Sequence, residues 1–251
     1  MLDVRGLTVR YGALRVADGV TFTVNAGDWL MIAGPNGAGK TTVLNAVSQG
    51  VPYTGDVLLG GRDVRRMPSR ARARRMGLLS QSHAMGYAFT VEEIVRLGRY
   101  AYSGAFAGPD EADERAVTEA LAFTGMEPYR THSVLTLSGG ELQRAFLAQL
   151  FAQNPPLLLL DEPTSHLDLA YQRQTFQLIR DWLTQPGRAA VSVVHDLSLA
   201  LRYGTRALLM SGGRTVACGG VREALSRENL ARVYGMDVHG WMTEMLEQWK
   251  A

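Results

Sequence analysis

Trp29-Leu30-Met31-Ile32-Ala33-Gly34-Pro35-Asn36-Gly37-Ala38-Gly39-Lys40-Thr41 is the stretch on which the fold turns. Its first five residues form a short, continuous apolar run, the pattern of a strand buried on both faces. The next eight fit G-x-x-x-x-G-K-[ST]. Gly34, Gly37 and Gly39 let the backbone curl so that successive N–H groups face one point. A helix predicted from about Lys40 to Ser48 then presents its N-terminus to the same place, making a nest for phosphate oxygens. In such a loop Lys40 reaches the β- and γ-phosphates and the Thr41 hydroxyl serves Mg²⁺.

Strand signals lie on either side. Residues 2–10 alternate through Leu2, Val4, Leu7 and Val9, and residues 20–24 through Val20, Phe22 and Val24. Asn25–Asp28 reads as a turn, and residues 54–61 as turn, strand and second turn. Met76–Ser80, Leu157–Leu160 and Ala189–Val194 predict further strands. Helices are predicted over 91–99, 110–123, 171–183 and 221–233, with a short amphipathic helix from Trp241 to Lys250. Gly212-Gly213 between Arg206–Met210 and Thr215–Cys218 signals a hairpin. Residues 104–109 break the chain between two helices. Buried strands alternating with helices predict an α/β fold with a parallel-sheet core. An antiparallel N-terminal β subdomain and a helical segment near 90–150 are added to it.

Asp161 follows four leucines, so its carboxylate sits at the C-terminal end of a buried strand, facing the crevice where α/β folds bind ligands. There it can serve a Mg²⁺ shell. Glu162 comes next and is placed to polarise a water attacking the γ-phosphate. His195 and Gln81 end two other strands. A histidine there can touch the γ-phosphate, and a neutral amide can ligate Mg²⁺ or water. Leu137-Ser138-Gly139-Gly140-Glu141-Leu142-Gln143-Arg144 opens a helix, offering N–H groups and a positive dipole end.

In this order the motifs resemble the ATP-binding subunits of ABC (ATP-binding cassette) transporters over essentially the whole chain. The resemblance implies a P-loop NTPase in one ABC ATPase domain, residues 1–251, with a helical signature subdomain at about 83–155. It implies that Tyr11 stacks on adenine and that Gly34, Asn36, Gly37, Ala38, Gly39, Lys40, Thr41 and Thr42 hold the phosphates. Thr41, Gln81 and Asp161 would serve Mg²⁺, and Glu162 would be the catalytic carboxylate. His195 would be the switch histidine, with Lys40 and Gln81 also catalytic. Ser165–Asp168 looks like the D-loop. Two copies would pack head to tail with two ATPs between them, Ser138, Gly139 and Gly140 of one facing the γ-phosphate held by Lys40 of the other. The commonest signature has glutamine where this chain has Glu141, though related importers often carry glutamate. A carboxylate near the second-site phosphates predicts weaker ATP-driven closure.

Val95–Tyr100, Glu162–Asp168 and Asn229–Val238 look like the subfamily importing iron–siderophore complexes, haem and vitamin B12. The implied partners are a second copy, two polytopic permease subunits and an extracytoplasmic substrate-binding protein. Segment Ser82–Tyr102, with Met85, Tyr87 and Phe89, would receive the permease's coupling helix, or its aromatics pack the loop itself. Two other readings compete: a non-transport ABC ATPase such as an iron–sulfur assembly factor, and a zinc/manganese-type importer subunit.

Composition agrees with a folded protein. Of 251 residues 46% are hydrophobic and 20% charged, which excludes a disordered chain. The net charge of +2 gives no argument for nucleic acid, and lysine occurs only at Lys40 and Lys250. The arginines of segment 62–75 read as a solvated helix face or an ionic contact. Cys218 is the sole cysteine, which excludes an intrachain disulfide and a cysteine metal site. The opening residues lack a signal-peptide pattern and no apolar run nears a bilayer span. The expected location is therefore peripheral, on the cytoplasmic face of the inner membrane.

Overall fold

The computed structural model describes residues 1–81, 87–102, 110–165 and 167–250. In chain order the elements are β1 (Leu2–Tyr11), β2 (Leu14–Val24), β3 (Trp29–Ala33), α1 (Lys40–Val47), β4 (Thr54–Leu59), β5 (Arg62–Asp63), α2 (Ser69–Ala73) and β6 (Met76–Leu79). Then come α3 (Val91–Leu97), α4 (Glu111–Thr124), α5 (Gly139–Gln153), β7 (Leu157–Asp161), α6 (Leu169–Leu183) and β8 (Ala189–Val193). The chain closes with α7 (Leu197–Tyr203), β9 (Arg206–Ser211), β10 (Arg214–Gly220), α8 (Val221–Ala224), α9 (Arg227–Tyr234) and α10 (Val238–Glu247). Two compact units result, Met1–Arg65 with Val191–Ala251, and Arg66–Ala190, the division falling within β8.

In the first unit, alternation builds an antiparallel sheet of order β2-β1-β4-β5. Leu2, Val4, Leu7 and Val9 are buried on one face, as the period of two demands. β2 begins at Leu14, six residues before its alternating stretch, because its register against β1 shifts around Gly19, which has φ +67°. A broken register hides a strand from a period-two reading. β3 is buried at every residue and pairs in parallel with β9, which pairs antiparallel with β10. The β9–β10 hairpin turns at Gly212 (φ +54°) and Gly213 (φ +77°), the left-handed pair that a tight hairpin needs.

Helix starts differ from expectation where polar caps decide them. The predicted 221–233 helix is two helices, because Ser226 accepts from the Asn229 N–H (3.3 Å) and restarts the chain as α9. The last helix starts at Val238 rather than Trp241, with the Asp237 side chain accepting from Gly240 N–H (3.1 Å). α7 was not expected; the Asp196 carboxylate caps it through Ser198 and Leu199 N–H (2.7 and 3.1 Å).

In the second unit β6 and β7 pair in parallel, Leu79 opposite Leu160. α5 carries eight buried residues, and α3 and α4 pack on it. Gly98, just past α3, allows that approach, since a Cβ there would overlap the Gln149 carbonyl oxygen of α5. The Arg-rich segment is anchored here: the Arg74 side chain donates to Ala101 O (2.8 Å) and lies over the Tyr102 ring. The break at 104–109 lies outside the described residues.

Candidate functional site

The glycine loop has the geometry that its composition predicts. Gly34, Gly37 and Gly39 have φ +144°, +77° and +90°. A Cβ on Gly34 would overlap the Met210 carbonyl oxygen, and one on Gly39 the Val16 carbonyl oxygen. Neither backbone atom can step aside, so both positions require glycine. Lys40 is buried, and its ammonium donates back to Gly34 O (2.8 Å) and Pro35 O (3.0 Å). The side chain therefore folds over the loop. No side chain caps α1, whose N-cap is Gly39. Asn36 and Gly37 are exposed, Ala38 is buried, and Thr41 and Thr42 are half-buried at the start of α1. Val194 N–H donates to Ile32 O (3.1 Å), which sets the next residue, the exposed His195, beside the strand that feeds the loop. Tyr11 ends β1 exposed.

The second unit assembles another set. Extending the β6–β7 register two residues past Leu79 and Leu160 brings Gln81 opposite Glu162. There the Gln81 amide donates to Glu162 Oε2 (2.8 Å). Glu162 has φ +48°, a left-handed conformation uncommon for glutamate. Asp161, the last residue of β7, is buried. Asp168 caps α6, its carboxylate accepting from Tyr171 N–H (2.9 Å). The neighbouring His166 lies outside the described residues.

Ser138 caps α5 in a reciprocal box with Glu141. Glu141 Oε2 accepts from both Ser138 N–H and Ser138 Oγ–H (2.8 Å each), while Ser138 Oγ accepts from Glu141 N–H at 3.4 Å. Hydrogen bonding to Tyr129, joined by the two bonds from Ser138, holds the Glu141 carboxyl at about 2, below the usual carboxylate range. A Cβ on Gly140 would lie 2.5–2.8 Å from atoms of the Tyr171 ring, whereas one on Gly139 would meet nothing within 4 Å. The helix start is thus packed on one side and open on the other. Reasoning from sequence missed this box and Tyr129. The S-x-x-E spacing of Ser138 and Glu141 carries the signal for the box; nothing local marks Tyr129.

Among the described residues no group of three or more His, Cys, Asp or Glu could hold a metal by itself. In the first unit the Thr41 hydroxyl, and in the second the Asp161 carboxylate and Gln81 amide, are each oxygen donors of the hard type that suits Mg²⁺. Since the Gln81 amide nitrogen is engaged by Glu162, its carbonyl oxygen is the end left to serve a cation.

A glycine loop between a buried strand and an uncapped helix, with its lysine folded over it, is the phosphate-binding element of a P-loop α/β protein. Residues 17–165 match the sequence profile of the ABC transporter family, and the chain belongs to that family. Among similar proteins, it is 41% identical to a hemin import ATP-binding protein of Myxococcus xanthus, over 94% of this chain and 91% of that one. It is 38% identical to the ferric enterobactin transport ATP-binding protein of Escherichia coli, over 92% and 85%. A cobalamin import ATP-binding protein of Halobacterium salinarum is 37% identical over 93% of this chain, which spans 58% of that protein's length. Among solved structures, an ABC transporter in an inward-facing conformation has a chain that superposes with TM-score 0.82 at 27% identity, covering 94% of this chain and 89% of that one. The dimeric bacterial cassette MJ0796 superposes with TM-score 0.79 at 27% identity, covering 88% and 99%. Among the described residues no helix is long and apolar enough to cross a membrane.

Proposed function

We propose that this chain is the ATP-binding and ATP-hydrolysing subunit of an ABC importer that takes up iron–siderophore complexes, haem or vitamin B12. The hydrogen bond from Gln81 to a left-handed Glu162 carries the hydrolytic part of the reading, because it aims a carboxylate from the strand tip next to Asp161. The three import proteins it resembles, for hemin, ferric enterobactin and cobalamin, support the transport part.

In this reading one domain spans 1–251, with a helical subdomain at about 83–155. Tyr11 stacks on the adenine, and residues Gly34 to Thr42 wrap the phosphates with backbone N–H groups while Lys40 supplies a cation. Thr41, Asp161 and Gln81 hold Mg²⁺, which neutralises phosphate charge when bound. Glu162 takes the proton of the attacking water, and His195 donates to the γ-phosphate as charge develops there. Ser138, Gly139, Gly140 and Asp168 face the nucleotide of a second copy packed head to tail, an arrangement that the dimeric cassette of similar fold supports. The complex includes two polytopic permease subunits and an extracytoplasmic binding protein, and the chain lies peripherally on the cytoplasmic face of the inner membrane. Tyr87 and Phe89, both exposed, belong to the permease contact; Met85 lies outside the described residues.

Two measurements test this. Purified full-length chain should release phosphate from ATP in the presence of Mg²⁺. Lys40→Ala should weaken ATP binding by about 10- to 100-fold, the range for a lost charge-assisted contact. Affinity purification from membranes should return a polytopic permease. Failure to hydrolyse ATP even with that permease present would overturn the reading.

A further inference from the structure

Glu141 does more at the start of α5 than occupy a signature position. An anion approaching the open side of this helix start, at Gly139, would look for donors on Ser138. That residue has two, its N–H and its hydroxyl proton. Both already donate to Glu141 Oε2, at 2.8 Å each. A serine hydroxyl has one proton, so Oγ turned toward a phosphate in this arrangement would present only lone pairs, and repel. The carboxylate is itself an anion seated where the helix dipole favours one.

We propose that Glu141 is a positioning residue that acts as a built-in competitor for the partner's γ-phosphate. It keeps both Ser138 donors engaged until ATP-driven closure displaces it onto Tyr129. Tyr129 is the receiving end of the exchange. Its hydroxyl stabilises the Glu141 carboxylate beside the Ser138 bonds, and it offers a donor once Ser138 has turned away. Arg144, one turn further along α5 with its guanidinium over the Tyr171 ring (5.5 Å), supplies positive charge on the same side. A glutamine at this position would accept from the same N–H without a charge to oppose the phosphate, and so would yield more readily.

The inference rests on the function proposed above, and the test separates the two. ATP hydrolysis is measured against ATP concentration for the full-length wild type, Glu141→Gln, Tyr129→Phe and the double variant. Glu141→Gln should lower KM for ATP by about three- to tenfold, the factor that one net hydrogen bond supplies, with kcat within about twofold. Tyr129→Phe should raise KM about two- to fivefold in the wild-type background and leave it unchanged beside Glu141→Gln. A plain helix cap would instead move the melting temperature and leave KM alone. Unchanged KM in Glu141→Gln, or an equal Tyr129→Phe effect in both backgrounds, overturns the competitor role while leaving the ATPase reading intact. A wild type that does not hydrolyse ATP overturns both.

Discussion

Replacing Glu162 with glutamine separates chemistry from structure, because its two effects differ so much in size. The variant keeps the side chain's length and the same left-handed cost at φ +48°, since glutamine has the same Cβ and the same unbranched stem. It also keeps an oxygen to accept from Gln81 Nε2. What is lost is the charge on that acceptor. A hydrogen bond to a charged group contributes about 1.5–3 kcal/mol and a neutral one about 1. Glu162 is half-buried, so the lower end applies and the variant loses about 1 kcal/mol or less. For a chain of this size that is a fall in Tm of about 2–4 °C. A positioned general base contributes about 10²- to 10⁴-fold to the rate, or about 3–5 kcal/mol of barrier. Thermal melts and phosphate release at saturating ATP with Mg²⁺ read both numbers on one preparation. The expected result is a kcat lower by 10²-fold or more, KM nearly unchanged, and ATP-dependent dimers that persist in sedimentation. A kcat within about fivefold of wild type would refute the assignment of the base. A Tm loss near 10 °C would show that the residue's role in the fold had been underestimated.

Two glycines of one loop should respond differently. Gly34→Ala drives a Cβ into the Met210 backbone oxygen and should cost about 3 kcal/mol or more, whereas Gly37→Ala meets no atom within 4 Å and should cost only the left-handed penalty of about 1–2 kcal/mol; thermal melts compare them. Stability in the second unit should depend on acid through Glu92. Hydrogen bonding from Arg130, aided by Arg96 and opposed by burial, lowers its carboxyl from 4.5 to about 2. Because the folded value is depressed, the contribution is complete above about pH 4.5 and is lost as pH falls through about 2. Glu92→Gln should therefore cost about 1–2 kcal/mol at pH 7, after allowance for solvent screening, and progressively less below pH 4.5, as read by urea titration at each pH.

The parts legible in the sequence are those whose signal is local. The run Trp29–Ala33, the glycines that follow it and the Gly212-Gly213 turn each announce a backbone geometry within a few residues. Their elements appear at or within a residue or two of the expected places. Asp196 before the leucines at 197, 199 and 201 was an equally local cap signal, and α7 was readable from it. The contact between Gln81 and Glu162 is different, since it spans 81 positions and depends on the register of β6 against β7. Parallel pairing is not specified by either strand's own pattern. Sequence could place each residue at a strand tip but could not make them partners.

The two helix starts offered as phosphate sites differ in a way that residue types alone do not reveal. Both are glycine-rich, and both belong to long-recognised spacing patterns. At α1 the N-cap is a glycine with φ +90° and no capping side chain, so the loop's own geometry keeps that end for a ligand. At α5 the chain caps itself, Ser138 and Glu141 satisfying each other. Filling the first displaces no capping side chain. Filling the second requires the exchange of two hydrogen bonds to a carboxylate that stays ionised throughout the physiological range. In the proposed dimer each ATP meets one end of each kind. Binding to one chain's loop can then proceed before closure, while engagement of the other chain's α5 waits for the carboxylate to move. On the role proposed for Glu141, binding and closure are separate steps, divided by the exchange at α5.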